Sequence, residues 1–124
     1  MEKKKLLVVE DEVVLNKALQ DFLTFEGFDV TVAFDGEDGI KKTFSEKPDL
    51  VLLDIILPKK DGYEVIKELK SSSETKNIPI ILLTNLGSVN DVEKALNLGA
   101  TTYLVKADYK LEEITQKIKE VLGM

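Results

Sequence analysis

The residues of this chain that could do chemistry stand directly after its short apolar runs. Glu10, Asp11 and Glu12 follow Leu6-Leu7-Val8-Val9, and Asp54 follows Leu50-Val51-Leu52-Leu53. Thr84 follows Ile80-Ile81-Leu82-Leu83, and Lys106 follows Tyr103-Leu104-Val105. Carboxylates are hard oxygen ligands. They suit magnesium, which takes one or two of them and keeps waters and a phosphate oxygen. A carboxylate beside such a cation, a lysine and a hydroxyl is placed to attack phosphorus and form an aspartyl phosphate. The cation and the amine would neutralise the transferring oxygens, and the hydroxyl would donate to one. Asp54 fits the nucleophile, because it ends a continuous apolar strand and so sits on a rigid element at the core's edge. Singly, each residue has a plainer explanation. Asp11 or Glu12 can favour a helix dipole, Thr84 can cap, and Lys106 can be a solvated charge. Jointly, several carboxylates on one rim repel unless a cation is near, and random surface charge does not gather that way.

The elements that must position these residues follow from hydropathy. The four apolar runs are short, rich in leucine and β-branched residues, and bounded by polar ones, as strands covered on both faces are. Phe28-Asp29-Val30-Thr31-Val32 alternates instead, which predicts a strand nearer an edge. Between the runs lie helical patterns. Leu15, Ala18, Leu19, Phe22 and Phe25 form one stripe over 12–26, closed by Gly27. Val65, Ile66 and Leu69 follow Gly62; Val92, Ala95 and Leu96 precede Gly99; Leu111, Ile114, Ile118, Val121 and Leu122 repeat near the end. The stretch 36–44 is the weakest, since an interior glycine such as Gly39 costs about 1 kcal/mol in a helix. Five β-α units with right-handed crossovers give an open parallel sheet with helices on both faces. Ligands of such sheets gather at the carboxyl ends of the strands, where the polar residues above fall.

Composition narrows the chemistry further. The 124 residues suit one domain over 1–124 with no effector domain appended, and bury a real core. With 17 basic and 23 acidic residues the net charge is −6, which argues against nucleic-acid binding by this chain. Every basic residue is lysine; arginine, histidine, cysteine and tryptophan are absent. That excludes thiolate nucleophiles, disulfides, imidazole ligands and serine–histidine relays. No apolar run approaches a membrane span, and the four apolar residues after Lys5 are too few for a signal peptide. A cytoplasmic location fits the missing cysteine.

Over residues 4–122 the chain resembles a response-regulator receiver domain of two-component systems. The resemblance rests on Leu7-Val8-Val9-Glu10-Asp11-Glu12, on 49–54 running to Leu57-Pro58 and Asp61-Gly62, on Ile78-Pro79-Ile80 to Leu83-Thr84, and on Gly99-Ala100 to Tyr103-Leu104-Val105-Lys106. It implies an α/β, flavodoxin-like (βα)5 fold with a five-stranded parallel sheet of order 2-1-3-4-5. It implies Asp54 as phosphoacceptor, and Mg2+ or Mn2+ held by Glu10, Asp11, Asp54 and the backbone carbonyl of Ile56. Thr84 and Lys106 would bind the phosphoryl group, and Tyr103 would swing inward when Thr84 moves. The donor would be a sensor histidine kinase, a phosphotransfer protein or a small phosphodonor. The output would be a changed α4-β5-α5 face acting on a downstream protein, from a monomer or a weak phosphorylation-dependent dimer. Such a chain is a regulatory phosphoacceptor and not a turnover enzyme.

Departures from the family pattern carry their own expectations. Ala107 stands where proline is usual. A cis bond before a non-proline residue costs about 2.5–4 kcal/mol, so Lys106–Ala107 is expected to be trans. Asn85 replaces a usually small residue. Ile56 and Leu86 occupy the positions that tune phosphoryl loss. Neither can orient a water, which predicts slow self-dephosphorylation. The face with Asp91, Glu93, Lys94, Asp108, Lys110, Glu112, Glu113 and Lys117 has mixed charge and none of the arginine pairs of DNA-binding dimers. Other readings fit less well. A flavodoxin-like cofactor binder would have Glu10-Asp11-Glu12 repelling its phosphate. An aspartate phosphatase would want an acid where Ile56 stands. A pseudo-receiver would not need Glu10, Asp11, Asp54, Thr84 and Lys106 all retained.

Overall fold

The computed structural model describes residues 3–84, 89–106 and 110–124, with the backbone alone at 89 and 90. Leu86, Asn85, Asp108 and the Lys106–Ala107 bond lie outside the described residues. Strands and helices alternate as β1 (Lys5–Val9), α1 (Val13–Phe25), β2 (Asp29–Ala33), α2 (Gly36–Glu46), β3 (Leu50–Asp54), α3 (Gly62–Lys70), β4 (Ile80–Thr84), α4 (Val89–Leu98), β5 (Thr102–Val105) and α5 (Leu111–Leu122). All neighbouring strands are parallel, in the order β2-β1-β3-β4-β5. This is the flavodoxin-like α/β sheet expected from the apolar runs. Among the described residues no helix is long and apolar enough to cross a membrane.

Strand alternation divides the core into two layers. Leu7, Val9, Val51, Leu53, Ile80 and Leu82 meet Ile40 of α2, Val65, Ile66 and Leu69 of α3, and Ala95 of α4. Leu6, Val8, Leu50, Leu52, Ile81, Leu83 and Leu104 meet Leu19 and Leu23 of α1 and Ile114 and Ile118 of α5. Every residue of β3 and β4 is buried, as strands covered on both faces require. β2 lies at the sheet edge and is mostly half-buried, as its alternating pattern predicts.

One helix departs from the hydropathy reading, and the weakest of the five forms as expected. In α1 the buried stripe is Asn16, Leu19 and Leu23, whereas Phe25 is 84 % exposed. Phe25 lies two residues past Leu23, about 200° round the helix, so it cannot share that face. The helix then ends, the chain reverses through Gly27 at φ 101°, and Phe28 re-enters the core in its place. In α2 the helix forms through both glycines, helped by Asp35, whose side chain accepts from the Asp38 N–H at 2.7 Å. The glycines are demanded by close approach. A Cβ at Gly39 would lie 2.9 Å from Val9 Cγ1, and one at Gly36 only 1.7 Å from the Lys60 carbonyl oxygen.

That second contact matters for the segment following Asp54. Gly36 donates its N–H to Pro58 O at 3.2 Å, and Lys60 does so at 2.8 Å. Gly62 donates to Ile55 O at 2.6 Å, and a Cβ there would meet Asp54 O at 2.7 Å. The loop is thus fixed to the first turns of α2 and α3. Gly36→Ala drives a side chain into backbone and is expected to cost about 1–3 kcal/mol or more, since overpacking of this kind is relieved only by backbone shifts. Urea unfolding of Gly36→Ala should show a lower midpoint than Gly39→Ala, whose clash is with a side chain. Equal midpoints would contradict this account of the loop.

Candidate functional site

The register of the sheet brings the strand-end residues together. Val9 pairs with Leu53, so Glu10 and Asp54 come next on adjacent strands. Asp54 pairs with Leu83 and Thr84 with Val105, which sets Thr84 and Lys106 at the same rim. Alternation then selects faces. Glu10 continues Leu6 and Val8, Asp54 continues Leu50 and Leu52, and Lys106 continues Leu104, all on the α1/α5 side. Thr84 continues Ile80 and Leu82 toward α3 and α4, the side that Tyr103 also takes.

The contacts agree with this parity. The Lys106 ammonium lies 3.1 Å from Asp54 Oδ2 and also pairs with Glu10 Oε1. Its side chain is only 9 % exposed, so the solvated-charge explanation fails for it. Glu10 is 1 % exposed, and its Oε2 accepts from the Glu12 N–H at 3.1 Å. Asp54 is buried, and its Oδ1 accepts weakly from the Ile56 N–H at 3.4 Å. Asp11 is exposed. Glu10, Asp11 and Asp54 each offer a carboxylate oxygen, all within 4.8 Å of one another. With Glu12, Ile56 and Lys106 they line a cleft of about 150 Å³. A larger cleft of about 470 Å³, beside Phe44, Glu64, Lys67 and Glu68, holds no comparable convergence of groups. Thr84 is buried at its strand end, and Tyr103 is 41 % exposed.

Sequence reasoning missed Asn16. It is a polar residue on the buried stripe of α1 and bonds the backbone beneath the acidic loop. Its spacing from Leu19 and Leu23 was the available signal.

The electrostatics follow from burial. Loss of hydration is the largest influence on Glu10 and pushes its carboxyl from 4.5 up to about 7. Lys106 and the Glu12 N–H pull it back, and the Asp54 charge adds to the rise. Burial also opposes charge on Lys106, yet the Glu10 and Asp54 carboxylates outweigh it and hold the amine above its usual value. Three hard oxygen donors around a rim carrying one ammonium fit a divalent cation, which would relieve the remaining negative charge. An acid whose folded pKa is raised binds its proton more tightly in the native state, so its contribution to stability falls as pH rises. Without divalent metal, the stability of the wild-type chain relative to Glu10→Gln should therefore decline between about pH 4.5 and about pH 7. Urea titrations in chelator at several pH values measure it; a flat difference across that window would refute the assignment.

Comparison with known proteins places this geometry. The model of the response regulator receiver domain family matches residues 6–119. The chain is 42% identical over 120 residues to the probable transcriptional regulator ycf27 of Cyanophora paradoxa, covering 97% of this chain and 48% of that one. It is 41% identical over 119 residues to the alkaline phosphatase synthesis transcriptional regulatory protein PhoP of Bacillus subtilis, covering 96% and 48%. The chain thus spans about half the length of the curated relatives it matches. Among solved structures, a CheY-like response regulator receiver domain protein of Methanospirillum hungatei superposes with TM-score 0.91 at 29% identity, covering 98% of this chain and 95% of that one. The receiver domain of the sensor histidine kinase PA1611 of Pseudomonas aeruginosa does so with TM-score 0.90 at 28% identity, covering 99% and 100%, and was solved with magnesium in its active-site cleft. With the family model matching from Leu6 to Lys119 and the fold shared throughout, this chain belongs to the response regulator receiver domain family.

Proposed function

We propose that Asp54 is the phosphoacceptor of a signalling switch. The observation that carries this reading is the buried Lys106 ammonium standing against both Glu10 and Asp54, at a rim where three carboxylates converge. An Asp54 oxygen attacks phosphorus, the new P–O bond forms, and the bond from phosphorus to the donor's nitrogen or oxygen breaks. The departing donor group keeps that electron pair, an imidazole leaving with a proton on its nitrogen and an acyl phosphate leaving as a carboxylate. Lys106 exchanges a carboxylate partner for a phosphoryl oxygen, so its charge is already aimed where negative charge accumulates. Thr84, on the adjacent strand end, donates its hydroxyl to a second oxygen. Glu10, Asp11, Asp54 and the Ile56 carbonyl would hold magnesium or manganese, which would supply further positive charge against the phosphoryl group. The magnesium in the active-site cleft of the PA1611 receiver domain supports a cation at this rim.

Membership of the family supports phosphoacceptor signalling, in which the chain regulates and does not turn over substrate. Exposed Val13, Val14 and Ile56 flank the carboxylates with apolar surface, which suits docking of a protein donor such as a sensor histidine kinase or phosphotransfer protein. These 124 residues contain no histidine, so a phosphohistidine donor would lie outside them. Phosphorylation biases a two-state equilibrium through Thr84 and Tyr103, which share one face of the sheet, and alters the α4-β5-α5 surface. A downstream protein reads that surface. Transcriptional control is the output of the curated relatives by their names, and a cytoplasmic setting fits it.

Incubation with acetyl phosphate and magnesium should add one phosphoryl group to the wild-type mass. It should add none to Asp54→Ala, and none to the wild type in excess chelator. Modification that survives in Asp54→Ala would sink the assignment. Loss of the group should be slow, because Ile56, 66 % exposed at the cleft, offers no hydrogen bond to an attacking water. Ile56→Gln is expected to shorten the phosphoryl lifetime several-fold, about the scale of one modest water-orienting interaction. A wild-type lifetime of seconds, or an unchanged one in Ile56→Gln, would contradict this. Leu86, the other tuning position expected from the sequence, lies outside the described residues.

A further inference from the structure

We infer that Asn16 is a positioning residue for the acidic metal-binding loop, an inference that rests on the reading of Glu10, Asp11 and Asp54 as cation ligands. Asn16 is 1 % exposed, in the second turn of a helix whose other buried side chains are leucines. Its amide nitrogen donates to Glu10 O at 2.8 Å and to Ala33 O at 3.2 Å. Those carbonyls belong to the residue just past β1 and to the last residue of β2. The same two residues are also joined by Glu10 N–H to Ala33 O at 3.0 Å. One side chain therefore ties the point where the first strand becomes the acidic loop to both the neighbouring strand and the helix. The helix backbone adds a tie of its own, Asn16 N–H to Glu12 O at 2.9 Å. Glu10, Asp11 and Glu12 are thus gripped at both ends by Asn16.

The chemistry of the amide fits this role and no simpler one. Only a group with two donors on one atom can serve two carbonyls at once, which asparagine's NH₂ does and a hydroxyl does not. Its Oδ1 is buried without a hydrogen-bond partner among the described residues. An unpaired buried acceptor is costly, so an apolar side chain would serve the packing of α1 better. What the asparagine supplies is a fixed loop backbone. The direction of the Glu10 carbonyl sets where the chain turns next, and hence where the Asp11 carboxylate stands relative to Glu10 and Asp54. Partners that orient ligands without touching the ion typically govern metal affinity by about 10–100-fold.

The test is magnesium affinity, measured by calorimetry on the wild type, Asn16→Ala, Asn16→Ser and Thr75→Val. Thr75 is an equally buried polar residue whose hydroxyl donates to Leu69 O at 2.6 Å, at the far end of α3, so its variant controls for lost stability alone. Asn16→Ala should bind magnesium about 10-fold more weakly. Asn16→Ser, which keeps one donor, should fall between, and Thr75→Val should match the wild type. Amide exchange of Glu10, followed without metal, should speed up in Asn16→Ala and not in Thr75→Val. If Asn16→Ala does not fold, the same comparison is made with Asn16→Ser. Wild-type affinity in a folded Asn16 variant overturns the inference while leaving the metal site standing. Equal weakening in Thr75→Val overturns it also, by showing a general stability effect. A wild-type chain that binds no magnesium overturns both readings together.

Discussion

Two carboxylates held at the edge of an apolar core repel each other, and in this molecule one ammonium stands between them. The placement of Lys106 against Glu10 and Asp54 is the constraint on which the site depends. Burial strengthens the attraction and the repulsion alike, because little water remains to screen either. The result is a group of charges that is incomplete by design. The amine matches only part of the acid present, and the remainder attracts a cation. A site fully neutralised by its own side chains would have no electrostatic reason to bind one.

The scaffold serves that arrangement through rigid, unremarkable means. β1, β3 and β5 each deliver one charged side chain on the same side of the sheet, because Glu10, Asp54 and Lys106 continue the parity of Val8, Leu52 and Leu104. A one-residue slip of any strand would turn its charge to the other layer and bury it among Ile40, Val65 and Leu69. The loops are secured separately, with glycines at 36 and 62 admitting backbone against backbone beneath the segment after Asp54.

Much of this was legible in the amino-acid sequence, for identifiable reasons. Strands buried on both faces spell themselves out as apolar runs, and their last residues mark the rim, so Glu10, Asp11, Asp54, Thr84 and Lys106 could be picked out before any coordinates. What escaped was whatever depended on a partner far along the chain. Phe25 looked like a core residue because counting a stripe does not reveal where the helix stops and Phe28 takes over. The glycines of α2 looked like weaknesses because their neighbours, Val9 and Lys60, are visible only in three dimensions. Lys106 alone resembled any surface lysine, since its burial comes from acids on other strands. Asn16 lay off the apolar stripe counted for α1, although a polar side chain on a buried face is a signal in its own right.

The span of the Lys106 contacts has a consequence for how the molecule comes into being. The amine meets Asp54 from 52 residues away in the chain, and Glu10 from farther still. Glu10, Asp11 and Asp54 are synthesised well before their counter-charge, and β5 pairs in the sheet with β4 alone. Contacts of such separation form late, after the entropy of closing long loops has been overcome. Until the fifth strand arrives, the acids at the ends of β1 and β3 face one another without the amine, and divalent cations in the surroundings are the available substitute. The contact that sets the charge of this site is therefore also one between distant parts of the chain.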